Sequence, residues 1–380
     1  MSAAVAIGTF DGVHLGHRRV IETAAATGLP VRVLTFDPHP RVVLGNFVEA
    51  LSTLERRLEL LDELGVAETT VVEFTLDVAQ LEPEEFAERH LGDAAAVVAG
   101  ADFRFGRRRR GDVDLLERLG HRVVPVPLLE GVSSSAIRRH LHAGEVREAA
   151  RMLGRPPELD GIVVGGDQRG GTLGYPTANL AIDPAVLVPA YGIYAGAAEV
   201  DGRPHRAAVS IGTNPHYGGD ERRIEPHLLD FDGDLYGRRL VVELWERLRD
   251  EQVFESEQAL VEQIARDVEA TQAAVRPVEA LEPDVKAAVE KIKIGQTTDL
   301  IASRGVFTKV LFEKATPQRT LPLDATLKDQ IRKRLMMDRA RNKPDNDLQK
   351  MMSNMRSKAT ITIAEKQFAD TFNRLLKAKG

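Results

Sequence analysis

The sequence predicts an α/β protein in which a doubly wound parallel sheet is followed by a small antiparallel β-barrel and then by a mainly helical tail. Up to about residue 150, short apolar strands alternate with helical segments, as in a parallel sheet covered on both faces. From residue 161 onward, short strands are separated by glycine and aspartate turns, which is typical of a small antiparallel barrel. Lysine is found only after Pro283, so a third part of different composition begins there.

Composition narrows the chemistry that this chain can perform. It has no cysteine, which excludes disulfides, thiolate metal ligands and thiol nucleophiles. Residues 1–283 have no lysine, which excludes a P-loop lysine, a protein-kinase strand lysine and a Schiff base there. Phosphate groups must then be bound by backbone N–H groups, arginine, histidine, hydroxyls or a metal ion. No apolar run reaches membrane-spanning length and no basic-then-apolar leader opens the chain, so we expect a soluble cytoplasmic protein without a membrane partner.

The periodicity assigns individual elements to the first two parts. In the first part, strands are predicted at 3–7, 31–36, 70–74 and 95–99, and helices at 18–26, 53–64 and 83–90. In the second part, strands are predicted at 161–164, 192–200, 206–211 and 239–245, followed by an amphipathic helix at 257–274. Because parallel sheets bind ligands at the carboxyl ends of their strands, the polar motifs that follow those ends form the first candidate site.

The first of these motifs runs from Gly8 to His17 and reads GTFDGVHLGH. A strand, a glycine turn and a helix in succession place the helix N-terminus, with its free N–H groups, over a bound phosphate. His14 and His17 are three residues apart on one helical face, where they can donate hydrogen bonds to a phosphate whose charge grows in the transition state. The alternative is a tight surface turn that merely contains two histidines, but Asp11 and the turn glycines favour the site.

Three further motifs follow later strands of the first part. His39 lies in a proline-stiffened loop at 37–40 and either lines a nucleotide pocket or is a hydrogen-bonded structural residue. The loop at 100–106, with four arginines at 107–110 after it, either closes over phosphates or is a solvated basic loop. The sequence SSSAIR at 133–138 places three hydroxyls at a helix start, although serine is also a common helix cap.

The second part has candidate residues of its own. Residues 165–174 form a glycine-rich loop whose backbone could approach phosphates closely, although such loops are mostly flexible hairpins. Thr177 and Asn179 present oxygen atoms suitable for Mg²⁺, or else form ordinary hydroxyl and amide turns. Glu225 lies in a mostly apolar strand, and apolar surroundings move a carboxylate toward the working range of a general base. A structural glutamate in a salt bridge is the alternative.

In their order, the motifs of the first part are similar to those of the flavin adenylyltransferases among the HxGH nucleotidylyltransferases. The shared patterns are GxFDGxHxGH, FDPHP, GxDFxFG and SSTxIR, with Ser135 where threonine is usual. The second part resembles riboflavin kinase in PTANL, in IGTNP at 211–215, in ExHLLDFxGDLYG and in the Leu248-Arg249 pair before Phe254. Residues 1 to about 277 therefore resemble the prokaryotic bifunctional riboflavin kinase/FAD synthetases.

This resemblance implies an FMN adenylyltransferase domain at 1–150, a riboflavin kinase domain at 151–283 and an extension of unknown function at 284–380. It implies that ATP phosphorylates riboflavin to FMN with Mg²⁺ as cofactor, and that a second ATP adenylylates FMN to FAD with release of pyrophosphate. On this resemblance His14 and His17 stabilise the α-phosphate, and Glu225 takes the proton from the ribityl hydroxyl of riboflavin.

The same resemblance implies three groups of binding residues. The ATP site of the adenylyltransferase comprises Gly8, Phe10, Asp11, Gly16, Asp102, Ser133, Ser134, Ser135 and Arg138. The ATP site of the kinase comprises Gly166, Asp167, Arg169, Gly170, Gly174, Pro176, Thr177 and Asn179, of which Thr177 and Asn179 also hold the metal. Flavin is contacted by Phe103, Phe105 and Arg249.

The tail differs from the rest of the chain in charge. Residues 1–283 contain 30 basic residues against 46 acidic ones, whereas residues 284–380 contain 21 against 11. Apolar residues at helical spacing predict helices at 324–335 and 363–376. The alternative to the enzyme is a fusion in which this tail, as a nucleic-acid- or protein-binding module, determines function. The tail has few aromatic residues among its basic ones, which disfavours nucleic acid and favours either a solvated helical bundle or a fragment that binds a protein partner.

Overall fold

A computed structural model describes residues 3–166, 174–214 and 219–277, together with 287–288, 291–293, 296, 301–303 and 306–308. Residues 1–314 belong to one compact unit. Within this unit a parallel sheet precedes an antiparallel barrel, as the sequence predicts.

The first part is a five-stranded parallel sheet in the order β3-β2-β1-β4-β5. Its strands are β1 Ala3–Ile7, β2 Val31–Asp37, β3 Glu68–Glu73, β4 Ala94–Gly100 and β5 Val123–Val126. The helices between them are α1 Leu15–Ala25, α2 Pro40–Val43, α3 Leu54–Asp62, α4 Leu76–Gln80, α5 Pro83–Leu91 and α6 Val113–Arg118. The strand order reverses between β1 and β4, and doubly wound sheets bind ligands in the crevice at such a point.

Side chains on both faces of β1 are buried, which confirms a doubly wound sheet. Ala4 and Ala6 pack in a cluster with apolar residues of α1 and α3, whereas Val5 and Ile7 pack with residues of α5 on the opposite face. Successive residues of a strand point to opposite faces, so a continuous apolar run indicates a sheet covered on both sides.

Helix α1 begins three residues earlier than the sequence predicts. It starts at Leu15 instead of Arg18, and His14 is its N-cap residue, with Nδ1 accepting a hydrogen bond from the backbone N–H of His17. The two histidines therefore lie in the first turn, where backbone N–H groups lack partners within the helix.

The second part is a six-stranded antiparallel sheet in the order β10-β9-β8-β11-β6-β7. Its strands are β6 Glu158–Val164, β7 Asn179–Ile182, β8 Gly192–Val200, β9 Arg203–Asn214, β10 Gly219–Leu228 and β11 Arg239–Arg249. The barrel nearly closes, because the backbone N–H of Ala178, just before β7, donates to the carbonyl of Pro226 in β10 at 2.9 Å. The last helix, α9 Glu257–Ala273, packs against β8 and β9.

Two helices connect the sheet to the barrel. They are α7 Ser134–His142 and α8 Val146–Leu153. Ile137 and Leu141 of α7 belong to the same buried cluster as Leu159, Tyr194 and Leu244 of the barrel. Helix α7 therefore begins at the parallel sheet and buries its apolar face in the barrel.

A network of ion pairs also joins α3 to the barrel. The guanidinium of Arg56 donates to both carboxylate oxygens of Glu158 at 3.1 and 2.9 Å. Arg239 donates to both oxygens of Asp160 at 2.8 and 2.9 Å and also contacts Glu59 of α3. Bidentate pairs of this kind fix the relative orientation of the elements that carry them.

A second connection is made by residues 49–52, which we call the linking segment. The backbone N–H of Ala50 donates to the carbonyl of Ala185 at 2.7 Å, and the N–H of Leu187 donates back to Ala50 at 2.8 Å. This segment follows α2 in the first part, and its partners follow β7 in the barrel, so the two parts share a short parallel pairing.

Little of the tail is described. Ile301–Ser303 and Val306–Thr308 pair as a two-stranded antiparallel sheet, β12 and β13, whereas the sequence predicts only helices in the tail. The helices predicted at 324–335 and 363–376 lie outside the described residues. Within the described part of the chain, no helix combines the length and the apolar character needed to cross a membrane.

Candidate functional site

A cleft of about 950 Å³ opens at the carboxyl ends of β1, β2 and β4. It brings together motifs that are more than a hundred residues apart in the chain. Its lining includes His14 and His17, both predicted flavin-contacting phenylalanines, and all but one of the residues predicted to bind ATP in the first part, namely Gly8, Phe10, Gly16, Asp102, Ser133, Ser134, Ser135 and Arg138. The four motifs thus meet in one cavity, as expected if they serve one reaction.

The two histidines are stacked at the wall of this cleft. Their ring centroids are 3.6 Å apart with an interplanar angle of 15°, and Phe10 packs beside His17 at 5.2 Å. Burial lowers the pKa of His14 to about 4, with the nearby Arg155 and Arg138 adding to the effect. Burial also lowers the pKa of His17 well below its usual value, and His14 and Arg57 contribute. Both imidazoles are therefore neutral at pH 7.

A neutral imidazole donates from one nitrogen only. Because His14 Nδ1 accepts the hydrogen bond from the backbone of His17, its proton is on Nε2. The Nδ1 atom of His17 is buried and has no hydrogen-bond partner among the described residues. The described residues thus leave the hydrogen-bonding capacity of this nitrogen unused, although the atom itself is not exposed to the cleft.

Asp11 is the predicted ATP-binding residue that does not line the cleft. Its side chain is buried and bonds to the guanidinium of Arg138, and it accepts the backbone N–H of Leu51 at 2.8 Å. Arg138 in turn donates from Nε to the carbonyl of Glu49 at 2.6 Å. Asp11 therefore holds Arg138 and the linking segment in place, and Arg138 is the member of this set that borders the cavity.

The loop after β4 supplies an aromatic wall. Phe103 and Phe105 stack with centroids 5.6 Å apart and ring planes 14° from parallel. Phe105 and Gly111 exchange backbone hydrogen bonds of 3.1 and 2.9 Å, which close the loop at its base. A flat aromatic ligand could be packed against such a wall.

His39 lines the cleft, and Arg57, which the sequence does not single out, lies near the cleft histidines without lining the cavity. His39 lines it and caps α2, and burial lowers its pKa to about 4, helped by Arg138, Arg57 and Arg41. Arg57, on the buried face of α3, donates to the carbonyl of Phe36 at 3.0 Å. It lies close enough to lower the pKa of His17 as well. No local pattern marks Arg57, because it resembles any arginine in an amphipathic helix.

The barrel carries a second, smaller cavity of about 170 Å³, lined by Pro176 and Thr177 together with Asp232 and Asp234. Gly166 lies against Asn179, since a Cβ atom at position 166 would come within 1.9 Å of the Asn179 amide nitrogen. Gly174 has a φ of +85°, which favours glycine. The predicted ATP-binding residues Asp167, Arg169 and Gly170 lie outside the described residues.

Glu225 is not in the apolar surroundings that its strand suggests. Alternate residues of β10 are buried in the barrel core, among them Ile224 and Leu228, so Glu225 lies on the other face. Its side chain is 31% exposed, and Arg223 is 4.0 Å away. His227 lies on the same face and donates from Nδ1 to the carbonyl of Pro176 at 2.7 Å. Glu225 thus shares a face with the loop that carries Thr177.

Arg249 is engaged in a structural contact. Its guanidinium forms a bidentate pair with Asp267 of α9 at 2.7 to 3.1 Å and lines neither of the two cavities. Its predicted role in flavin binding stays a prediction. No group of three or more histidine, aspartate or glutamate side chains that could hold a metal ion is found within the described part of the chain. The hydroxyl and amide oxygens of Thr177 and Asn179 suit a hard cation that also binds phosphate oxygens and water.

Comparisons with known proteins cover both parts. The family model of FAD synthetase matches residues 1–135, and that of riboflavin kinase matches residues 153–275. The chain is 36% identical over 290 residues to the bifunctional riboflavin kinase/FMN adenylyltransferase of Listeria monocytogenes, covering 72% of this chain and 92% of the relative. It is 37% identical over 282 residues to the Escherichia coli K12 enzyme of the same name, covering 69% and 89%.

A solved structure shares the same architecture. The crystal structure of a macrolide-efflux protein from Streptococcus pneumoniae is 33% identical, with a TM-score of 0.67, and the match covers 72% of this chain and 95% of that one. The FAD synthetase model covers every residue that lines the larger cleft except Arg138, and the riboflavin kinase model covers the second cavity. The curated relatives match through both parts. The chain therefore belongs to the family of bifunctional riboflavin kinase/FMN adenylyltransferases.

Proposed function

We propose that this chain makes both flavin cofactors, with the larger cleft as its FMN adenylyltransferase site and the barrel as its riboflavin kinase site. It is a bifunctional riboflavin kinase and FMN adenylyltransferase, with riboflavin, FMN and ATP as substrates. The observation that carries the assignment of the cleft is the stacked, neutral pair His14 and His17 at the start of α1. Nothing in the comparisons favours a function determined by the tail.

In the cleft, a phosphate oxygen of FMN attacks the α-phosphorus of ATP, the bond from that phosphorus to the bridging oxygen breaks, and pyrophosphate leaves. Negative charge grows on the α-phosphate oxygens in the transition state. Neutral imidazoles can stabilise it by donating hydrogen bonds without themselves becoming charged or covalently attached. Ser133 to Ser135 and Arg138 would bind the departing phosphates at the N-terminus of α7. The stacked Phe103 and Phe105 would contact the flavin ring, with Asp102 beside them.

In the barrel, the ribityl 5′-hydroxyl of riboflavin attacks the γ-phosphorus of ATP, and ADP leaves. Glu225 would take the hydroxyl proton, since it shares a face of β10 with the loop at 175–177. Thr177 and Asn179 would hold Mg²⁺, which when bound neutralises phosphate charge. Gly166 and Gly174 would let the backbone approach the phosphates closely.

We also propose the division into domains at 1–150, 151–283 and 284–380, with a protein partner for the last. A cytoplasmic location fits a pair of reactions that both consume ATP. The basic composition of residues 284–380 supports a separate role for them, and the family models end before this segment, at residue 275.

The assignment is tested by incubating the full chain with riboflavin, ATP and Mg²⁺ and following FMN and FAD separately. The wild type should form both. Replacing His14 and His17 with alanine should lower FAD formation by roughly a thousandfold or more, since charge stabilisation in the transition state is lost, and should spare FMN formation. Glu225→Gln should do the reverse, with FAD still formed from added FMN. Undiminished FAD formation by the double histidine variant would remove the cleft from the reaction.

A further inference from the structure

The loop that closes between Phe105 and Gly111 contains four consecutive arginines, and their pairing differs. Arg107 and Arg110 both contact the carboxylate of Glu82, the first at 3.2 Å. Arg104, just before the loop, is paired with Asp112, just after it. These three positive charges are thus compensated by neighbouring carboxylates.

Arg108 and Arg109 are different. Neither side chain makes a hydrogen bond, ion pair or ring contact with the residues that the structure describes, although the backbone N–H of Arg109 donates to the carbonyl of Gly106 at 2.9 Å. Both residues line the cleft. Arg110, in contrast, is not among the residues that line it. The paired Arg104 and Arg107 also line the cleft, so Arg108 and Arg109 supply the uncompensated positive charge that this loop brings to the cavity.

The backbone of Arg108 and Arg109 is in an unfavourable conformation. Arg108 has φ +53° and ψ +27°, and Arg109 has φ +58°, so two successive non-glycine residues adopt the left-handed conformation. Side chains with a Cβ rarely do so, because the Cβ approaches the following carbonyl oxygen. The backbone N–H of Arg107 donates to Leu81 at 2.7 Å, and with the Phe105–Gly111 pairing this anchors the strained turn from both sides. In proteins, backbone strain of this kind is found mostly at active sites and ligand-binding loops.

We propose that Arg108 and Arg109 bind the 5′-phosphate of FMN and so make the cleft select the phosphorylated flavin over riboflavin. This inference rests on the proposed adenylyltransferase function of the cleft. The same loop carries Phe103 and Phe105, so it offers an aromatic surface and two free cations to one ligand. FMN combines a flat ring with a phosphate monoester that is largely a dianion at pH 7. Riboflavin has the ring without the charge. The phosphates of ATP, in contrast, have Arg138, the serines at 133–135 and the α1 N-terminus.

The test compares the double variant Arg108→Asn/Arg109→Asn with the wild type and with Arg110→Gln, a loss of charge in the same loop outside the cleft. Asparagine tolerates the left-handed conformation, so the melting temperature should be unchanged and the loop should keep its shape. The KM for FMN in FAD formation should rise about tenfold in the double variant, because charge-assisted hydrogen bonds to the phosphate are lost. The KM for ATP and the rate of riboflavin phosphorylation should stay as in the wild type, and Arg110→Gln should change none of them.

Ionic strength provides a second readout. The KM for FMN of the wild type should rise with added salt more steeply than that of the double variant, because exposed charges are screened. An unchanged KM for FMN, or a rise confined to the KM for ATP, would overturn the inference while leaving the adenylyltransferase function in place. A wild-type chain that forms no FAD from FMN and ATP would overturn the proposed function and this inference together.

Discussion

The buried imidazoles of the cleft make the stability of this protein depend on pH. His14 has a folded-state pKa of about 4 against 6.5 for an exposed histidine, and His39 is lowered to the same extent. Below pH 6.5 the unfolded chain therefore binds protons that the folded chain does not. The free energy of unfolding must fall as the pH is lowered from 6.5 towards 4, and it recovers as the pH is raised.

This dependence can be assigned to a single residue by substitution. A shift of this size at His14 alone corresponds to about 2 kcal/mol between pH 7 and pH 5. The variant His14→Gln cannot be protonated, so it should lose that much less stability than the wild type over this interval. Urea denaturation at pH 7, 6 and 5 measures the difference. Parallel pH dependences of the two proteins would contradict the assignment of a lowered pKa to His14.

Asn179 can be disturbed without being replaced. A methyl group at position 166 would overlap its amide, so Gly166→Ala should displace the Asn179 side chain. We expect the kcat/KM of riboflavin phosphorylation to fall about tenfold or more, because metal and phosphate positioning is lost, while FAD formation from added FMN is kept. Gly165→Ala is the matched control, since a Cβ atom there meets nothing within 4 Å. Equal phosphorylation by the two variants would argue against a role for Asn179.

At the residue scale, the sequence predicts which motifs meet but not which member of a motif borders the cavity. His14, Phe10 and Ser133 line the cleft as expected. Asp11 is instead buried against Arg138, and Glu225 is partly exposed beside Arg223. These orientations depend on neighbours that are distant in sequence, such as Leu51 for Asp11, and a local pattern holds no information about them.

At the scale of elements, the loop at 100–111 depends on how Gly106 packs. Gly106 has φ +68°, and a Cβ atom there would come within 2.7 Å of the Pro83 backbone. With ψ −177°, Gly106 lies in a region that is essentially restricted to glycine, so Gly106→Ala should cost about 1 to 3 kcal/mol in backbone strain and a steric cost in addition. Gly131 also has a positive φ, of +75°, but a Cβ atom there meets open space, so Gly131→Ala should cost only about 1 kcal/mol for the positive φ. Melting temperatures compare the two, and equal losses would exclude the contact with Pro83 as a source of stability.

Element boundaries were less predictable than element types. Helix α1 begins before its predicted start because its N-cap residue is a histidine. The usual capping signals are serine, threonine, aspartate and asparagine. The short strand β7 begins at Asn179, one of the two proposed metal-binding residues, and has only four residues, too few for a clear alternation. The long apolar strands β1, β2 and β4 were predicted nearly to the residue, because burial on both faces leaves an uninterrupted apolar run.

For the whole molecule, the ion pairs between α3 and the barrel are the contacts to test. Burial tends to raise the pKa of Asp160, but Arg239 and Thr53 outweigh it and hold this pKa below its usual value, so the carboxylate is charged. Arg239→Ala would leave that charge in a nearly buried position, with a cost of about 2 kcal/mol. Arg238→Ala removes the neighbouring arginine, whose partner Asp201 is exposed, and should have little effect.

Differential scanning calorimetry distinguishes these variants. The wild type and Arg238→Ala should unfold at similar temperatures, whereas Arg239→Ala should unfold at a lower one and with a broader transition, because sheet and barrel are less tightly coupled. Similar traces for all three proteins would show that the apolar packing of α7 and α8 suffices to join the two parts. That packing itself was not predictable, since an amphipathic helix does not specify which neighbour will cover its apolar face.

The linking segment makes the parallel sheet and the barrel depend on each other. Glu49 and Leu51 hold Arg138 and Asp11 on one side, while Ala50 between them is paired with the chain that follows β7 on the other. A fragment cut at residue 150 would lose both the barrel that covers α7 and the backbone partners of Ala50. The part of the chain that makes FAD is therefore held in shape partly by the part that makes FMN. Cutting the polypeptide between them should strongly lower FAD formation, even though the fragment keeps every side chain that contacts the ligands of the cleft.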